Sequence, residues 1–188
     1  MLSTPILLDY QSSTPCSKDV VDSMKPFWSE IFSNPSNKSN LAGINASAIL
    51  EASREKIEQN LFLKNKKVIF TSGATESNNL ALLGFARNYY KKTGNYGHII
   101  TLKTEHKAVL EPLHQLKKEG FMVTEITPER DGIISEEQFR KNIREDTFLV
   151  SVMMANNEIG VIQPIENISK ICKLRGITFH SDFAQCLG

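Results

Sequence analysis

From residue 68 onward, short apolar or β-branched runs alternate with longer amphipathic stretches, and this alternation constrains the fold more than any other feature of the chain. Strands separated each time by a helix-length segment have room for the crossover that parallel pairing needs. The runs are residues 68–71, 98–102, 122–127, 148–153 and 177–180. Between them, 75–92 carries Leu80, Leu83 and Phe85, while Val109, Leu113 and Leu116 follow the i, i+4, i+7 spacing of a helix buried along one stripe. Ser135 with Gln138 forms a capping-box pattern, Pro164 suits a first helical turn, and Gly120 and Gly176 sit where helices should stop. The fold class expected is α/β, a doubly wound and mainly parallel sheet, in which ligands bind beyond the carboxyl ends of the strands.

Before residue 68 the pattern differs. A short apolar piece, 6–8, leads into a turn-rich 11–15 and a helix carrying Val20, Val21 and Met24, which Pro26 weakens or ends. Residues 33–40 are rich in Ser, Asn and Pro and predict a loop, followed by a helix with Ile49, Leu50, Ile57 and Leu61. The organisation expected is an amino-terminal arm and loop over 1–42 and a larger domain over 43–188.

Of the 188 residues, 40% are hydrophobic and 23% charged, a balance that suits a soluble domain with a buried core. A net charge of +1 gives no reason to propose nucleic acid or an anionic membrane as a partner. No apolar run approaches the roughly 20 residues that span a bilayer, and the opening Met1-Leu2-Ser3-Thr4-Pro5 lacks the layout of an export signal. Cys16, Cys172 and Cys186 are odd in number without C-x-x-C spacing, and His98, His106, His114 and His180 form no H-x-x-x-H pair. Neither a disulfide framework nor a metal site is expected, and a reducing compartment, the cytoplasm, is the expected location.

Four segments at strand ends carry chemistry. Thr71-Ser72-Gly73-Ala74-Thr75-Glu76-Ser77-Asn78-Asn79 combines small residues, hydroxyls and a helix start, the makings of a phosphate cradle; an ordinary N-cap by Thr or Ser is the alternative. No Walker-type lysine follows it and no G-x-G-x-x-G occurs, which weakens nucleotide readings. In Thr104-Glu105-His106-Lys107 an imidazole could stack on a planar ligand or handle protons, or simply begin a helix. Asn156-Asn157-Glu158-Ile159-Gly160 could fix a polar ligand or make a turn. Asp182, directly after a buried strand, needs a partner such as a protonated heterocyclic nitrogen, or caps the next helix.

Together with Leu8-Asp9-Tyr10 and Thr14-Pro15, these segments resemble, in order and through nearly the whole chain, the cysteine desulfurases of the class V aminotransferase superfamily. The resemblance implies the large domain of the pyridoxal-phosphate (PLP) enzymes of fold type I. It implies that Ala74 and Thr75 hold the phosphate of pyridoxal 5'-phosphate, that His106 stacks on the pyridine ring, and that Asn157 and Gln185 lie near the ring 3-oxygen and the substrate. Asp182 would pair with the pyridinium nitrogen and keep the ring an electron sink. The implied reaction converts L-cysteine to L-alanine, leaving sulfur as a persulfide on an enzyme cysteine for a sulfur-acceptor or scaffold protein in iron–sulfur assembly, and the complete enzyme would be a homodimer.

There are departures. Ser33-Asn34-Pro35-Ser36-Asn37 and Asn40 stand where the family commonly has Gly-Asn-Pro-Ser-Ser followed by His, and Phe183 stands where a small residue is common. Only six residues follow Asp182, so the Schiff-base lysine, the persulfide cysteine, the substrate arginine and the small carboxyl-terminal domain have no counterpart here, and the domain is incomplete at its carboxyl end. Lys107 is expected on the solvent side of a helix and Cys186 as a packed thiol. The chain is therefore expected to be an inactive amino-terminal fragment that self-associates through an unpaired sheet edge. A selenocysteine lyase, or a truncated module that only binds phosphate or a partner, are the competing expectations.

Overall fold

The computed structural model describes residues 6, 8–64 and 66–187; Met1 to Pro5 and Leu7 of the apolar piece 6–8 lie outside them. The chain divides into two compact units, Met1–Phe70 and Thr71–Gly188.

The first unit holds helices α1 (Lys18–Met24), α2 (Pro26–Ser29) and α3 (Leu41–Asn60). Ser17 caps α1 through its side chain, and Pro26 separates α1 from α2 by opening the second helix at its first position, where a missing N–H costs nothing. Asn40 caps α3, its Oδ1 accepting from Gly43 N at 2.7 Å. Gly43 is the one buried residue of α3, because the 34–37 turn lies against the helix there: a Cβ on Gly43 would collide with the carbonyl oxygen of Asn37. Ile49, Leu50 and Ile57 are half-buried and Leu61 is exposed.

The expected strand at 68–71 does not form. Its residues are β-prone, yet a strand exists only where a ladder partner takes its backbone groups. Here α3 side chains take them instead: Val68 N donates to Glu58 Oε1 at 3.3 Å, and Arg54 Nη1 donates to Val68 O.

The second unit contains α4 (Ala74–Thr93), β1 (His98–Leu102), α5 (Lys107–Glu119), β2 (Met122–Ile126), α6 (Glu136–Asn142), β3 (Thr147–Ser151), α7 (Ile165–Leu174) and β4 (Thr178–His180). The four strands pair in parallel in the order β2-β1-β3-β4. Alternate side chains of the central strands feed two cores. Ile99 and Leu149 pack with Leu82, Ala86, Val109, Leu113 and Leu116 of α4 and α5, whereas Ile100, Leu102, Val150 and Val152 pack with Phe139, Ile168 and Ile171 of α6 and α7. Burial on both faces explains why β1 and β3 carry apolar residues at successive rather than alternate positions.

The inward stripe of α4 is Asn78, Leu82 and Ala86 rather than Leu80 and Phe85, which are exposed. Leu83 packs against the same core, and one inward position is an amide, which an apolar pattern does not register. Ser135 Oγ accepts from Gln138 N at 3.2 Å, but the Gln138 side chain donates to Thr127 O at 2.7 Å, so only half of the capping box forms. Gly120 caps α5 at φ 114°, a backbone region that side chains strain to adopt. His98 lies fully buried in β1 and ties three strands, its Nδ1 meeting Thr147 Oγ1 and its Nε2 meeting Thr124 Oγ1, both at 2.8 Å; burial holds its pKa below the ordinary range. Among the described residues, no helix is long and apolar enough to cross a membrane.

The crossover after β1 leads to one neighbour, β2, and the chain then passes to β3 on the other side of β1. The order reverses between β1 and β3, the position at which such sheets open a crevice beyond their carboxyl ends. The register Thr101↔Ser151↔His180 brings the segments after β1, β3 and β4 to that same end.

Candidate functional site

The loop before α4 is organised by its own side chains. Thr71 Oγ1 lies 2.6 Å from Ser77 Oγ and donates to Gly73 O at 3.1 Å, while Ser72 donates through both N and Oγ to Glu76 Oε2 at 2.6 Å. Those bonds from Ser72, the side-chain one foremost, hold the Glu76 carboxyl below its usual range. The N-cap residue is Gly73, in extended backbone and without a side-chain cap, so the alternative of a Thr or Ser capping this helix is not what forms. Ala74 and Thr75 are exposed in the uncapped first turn, at the positive end of a 20-residue helix.

His106 is exposed and serves as the N-cap of α5, its Nδ1 accepting from Ala108 N at 3.0 Å. That bond leaves the neutral ring's proton on Nε2. Thr75 and His106 line one groove of about 390 Å³ that runs between α4 and α5, past Asn79 and Leu83 on one helix and Glu111 and Gln115 on the other. Lys107 is exposed beside them.

The pair Asn156-Asn157 separates into two roles. Asn156 is buried; its Nδ2 donates to Thr104 O at 2.8 Å, and its Oδ1 accepts from Glu158 N and Ile159 N, both at 2.9 Å. It locks the turn and ties it to the segment carrying His106, while Asn157 beside it is half-buried.

Asp182 is half-buried two residues past β4, held from three directions. Its Oδ2 accepts from Asn78 Nδ2 at 2.8 Å, its Oδ1 from Ala184 N at 2.9 Å, and its carbonyl from Met154 N at 3.1 Å. The carboxylate is thus oriented, with lone pairs remaining for a further donor. Gln185 is exposed in the turn that follows, and Cys186 is half-buried, its N donating to Phe183 O at 2.9 Å. Among the described residues no cluster of His, Cys, Asp and Glu could hold a metal.

Two residues have structural roles that their motifs did not disclose. Asn78 lies within the 71–79 segment, and its link to Asp182 spans 104 residues of chain. Glu105 is only 6% exposed; its Oε1 accepts from Met153 N at 2.7 Å, while its Oε2 is buried without a hydrogen-bond partner. Burial foremost, offset by the Met153 N–H and reinforced by the Asp182 charge, pushes the Glu105 carboxyl up to about 8. The available signal was a carboxylate placed three residues past a fully buried strand.

This set suits a planar ligand with an anion at one end and a cationic ring nitrogen at the other. The uncapped turn of α4 matches the anion, the exposed imidazole offers a face, and the oriented Asp182 accepts a proton-bearing nitrogen. The donor set therefore fits pyridoxal phosphate.

The cysteine desulfurase IscS of Ehrlichia chaffeensis is 49% identical over 187 residues, which are 100% of this chain and 45% of that protein. The mitochondrial cysteine desulfurase of Eremothecium gossypii is 47% identical over 184 residues, 98% of this chain and 37% of that protein. Among solved structures, SspA in complex with cysteine has a TM-score of 0.85 at 40% identity, over 92% of this chain and 49% of that one. The chain spans about half the length of the curated relatives it matches. The model of the aminotransferase class-V family matches residues 6–188, and the chain belongs to that family.

Proposed function

We propose that these 188 residues supply the cofactor-binding part of a pyridoxal-phosphate-dependent cysteine desulfurase, the enzyme that moves sulfur from L-cysteine to an enzyme cysteine and releases L-alanine. The observation that carries this reading is the Asp182 carboxylate, fixed by Asn78 from the same helix whose uncapped first turn offers N–H groups to an anion.

Ala74 and Thr75 hold the phosphate through those N–H groups, strengthened by the helix dipole. His106 covers one face of the ring while its Nδ1 stays engaged with Ala108 N. Asp182 keeps a proton on the ring nitrogen, and Asn157 and Gln185 serve the 3-oxygen and the substrate side. When bound, pyridoxal phosphate supplies an electron sink for bonds at the substrate's α-carbon.

On this reading these residues are assigned cofactor binding, and turnover of cysteine is the task of the whole enzyme with its covalent lysine and sulfur-accepting cysteine. A sulfur-accepting protein and a second copy of the enzyme are the partners this reading supplies. Three free cysteines favour a reducing compartment, the cytoplasm.

The test is equilibrium dialysis of the chain against pyridoxal phosphate. One saturable site is expected, competed by inorganic phosphate, weakened in Asp182→Ala and not fixed by borohydride. Absence of saturable uptake, or a borohydride adduct at a single lysine, would overturn the reading.

A further inference from the structure

The inward stripe of α4 is Asn78, Leu82 and Ala86, spaced four residues apart. The last two fill the core beside Ile99 and Leu149, and the first is an amide at 4% exposure where the pattern calls for an aliphatic side chain. Burying an amide costs free energy unless it makes a compensating bond. Asn78 makes one, donating to Asp182 Oδ2 at 2.8 Å.

The bond joins two parts of the site with different tasks. Asn78 lies one turn from Ala74 and Thr75, on the same rigid helix whose first-turn N–H groups have no side-chain cap. Asp182 belongs to the loop after β4, where its other oxygen is already engaged by Ala184 N at 2.9 Å and its carbonyl by Met154 N at 3.1 Å. The backbone contacts fix where Asp182 stands. Ala184 N holds one carboxylate oxygen within that loop, and the Asn78 amide, holding the other, sets how the carboxylate is turned relative to the helix that would hold the phosphate.

We propose that Asn78 is a positioning residue: it orients the Asp182 carboxylate toward the ring nitrogen of a ligand anchored at the start of α4. This rests on the cofactor reading above. A charge-assisted hydrogen bond between carboxylate and ring N–H depends strongly on direction. Losing the orienting donor lets the carboxylate rotate and costs that bond without touching the phosphate end.

The test compares two ligands, pyridoxal phosphate and its 1-deaza analogue, in which a carbon replaces the ring nitrogen. Kd for each is measured by equilibrium dialysis on the full 188-residue chain, on Asn78→Ala, on Asp182→Ala and on the double variant. Asn78→Ala is expected to weaken pyridoxal phosphate about 10-fold or more, the scale of a charged hydrogen bond. It should leave the deaza analogue unchanged, and the double variant should bind pyridoxal phosphate no more weakly than Asp182→Ala alone.

Equal weakening of both ligands would make Asn78 a structural residue only and overturn the proposal. So would unchanged binding of pyridoxal phosphate, or a loss that adds in full to that of Asp182→Ala. Asn78→Ser, whose hydroxyl is too short for the same reach, carries the same expectations should the alanine variant not fold. Failure of the cofactor reading is visible separately: if the unsubstituted chain and Asp182→Ala take up both ligands alike, or neither, Asp182 does not pair with the ring and the proposal falls with it.

Discussion

The helices of the two units are covered to very different degrees. In the unit ending at Phe70, α1 and α2 bury no residue, and Trp28 is 79% exposed beside an exposed Phe32. From Thr71 onward, Leu82, Ile99, Leu113, Phe139 and Val150 are all fully buried. The first unit is held by local devices, the Ser17 and Asn40 caps and the 2.6 Å pair of Lys18 with Asp22. Such exposed pairs contribute little. An apolar stripe decides that a helix has an inner face, and only a sheet of the right register decides that the face is covered.

Substitutions test that contrast. The largest effect is expected at Phe139, fully buried between α6 and the sheet. Phe139→Ala should cost about 3–5 kcal/mol in urea unfolding followed by far-UV circular dichroism. A cost near zero would mean that the second unit is as loosely packed as the first.

Next comes Glu105. The folded chain keeps its carboxyl protonated up to about pH 8, whereas the unfolded chain ionises it near the ordinary 4.5. The folded state binds more protons across that window, so this group lowers stability as pH rises from about 4.5 to about 8. His98 and His180, both depressed by burial, act oppositely and lower stability as pH falls beneath 6.5. Glu105→Gln should flatten the alkaline slope, a gain on the order of 2 kcal/mol at pH 8. Urea midpoints measured from pH 5 to pH 8 read it, and an unaltered slope would sink the buried neutral acid.

In the first unit, Gly43→Ala should cost about 1–3 kcal/mol despite the better helix propensity of alanine, because the new Cβ meets the Asn37 carbonyl. A neutral or stabilising result would undock the 34–37 turn from α3. The smallest effect belongs to Trp28, the only tryptophan in the chain. Trp28→Ala should change stability by less than about 0.5 kcal/mol. Its fluorescence should resemble that of solvated indole and shift little in urea; a blue-shifted emission would show the surface covered.

How much was legible follows from the same physics. Residues 98–102 announce a strand because a strand buried on both sides has no polar alternation to blur it, and β1 occupies those residues. Residues 68–71 have similar composition and form none, because pairing is a property of the neighbour. At the site, the segments after β1, β3 and β4 were readable as candidates, since strand ends are where such sheets bind. The bond from Asn78 to Asp182 was not, because no local spacing encodes a contact across 104 residues. Nothing local distinguishes Glu105 from its neighbour His106, because its burial is set by Met153 and the sheet rather than by adjacent residues.

The stripe through Asn78, Leu82 and Ala86 also bears on how this sequence can drift. Each residue added to or removed from a helix turns everything beyond it by about 100°. An insertion between Ala74 and Asn78 would leave the N–H groups of the first turn in place and swing the amide off the sheet. Composition at an outward position such as Leu80 is open to change, but the interval from 74 to 78 is inherited as a fixed phase.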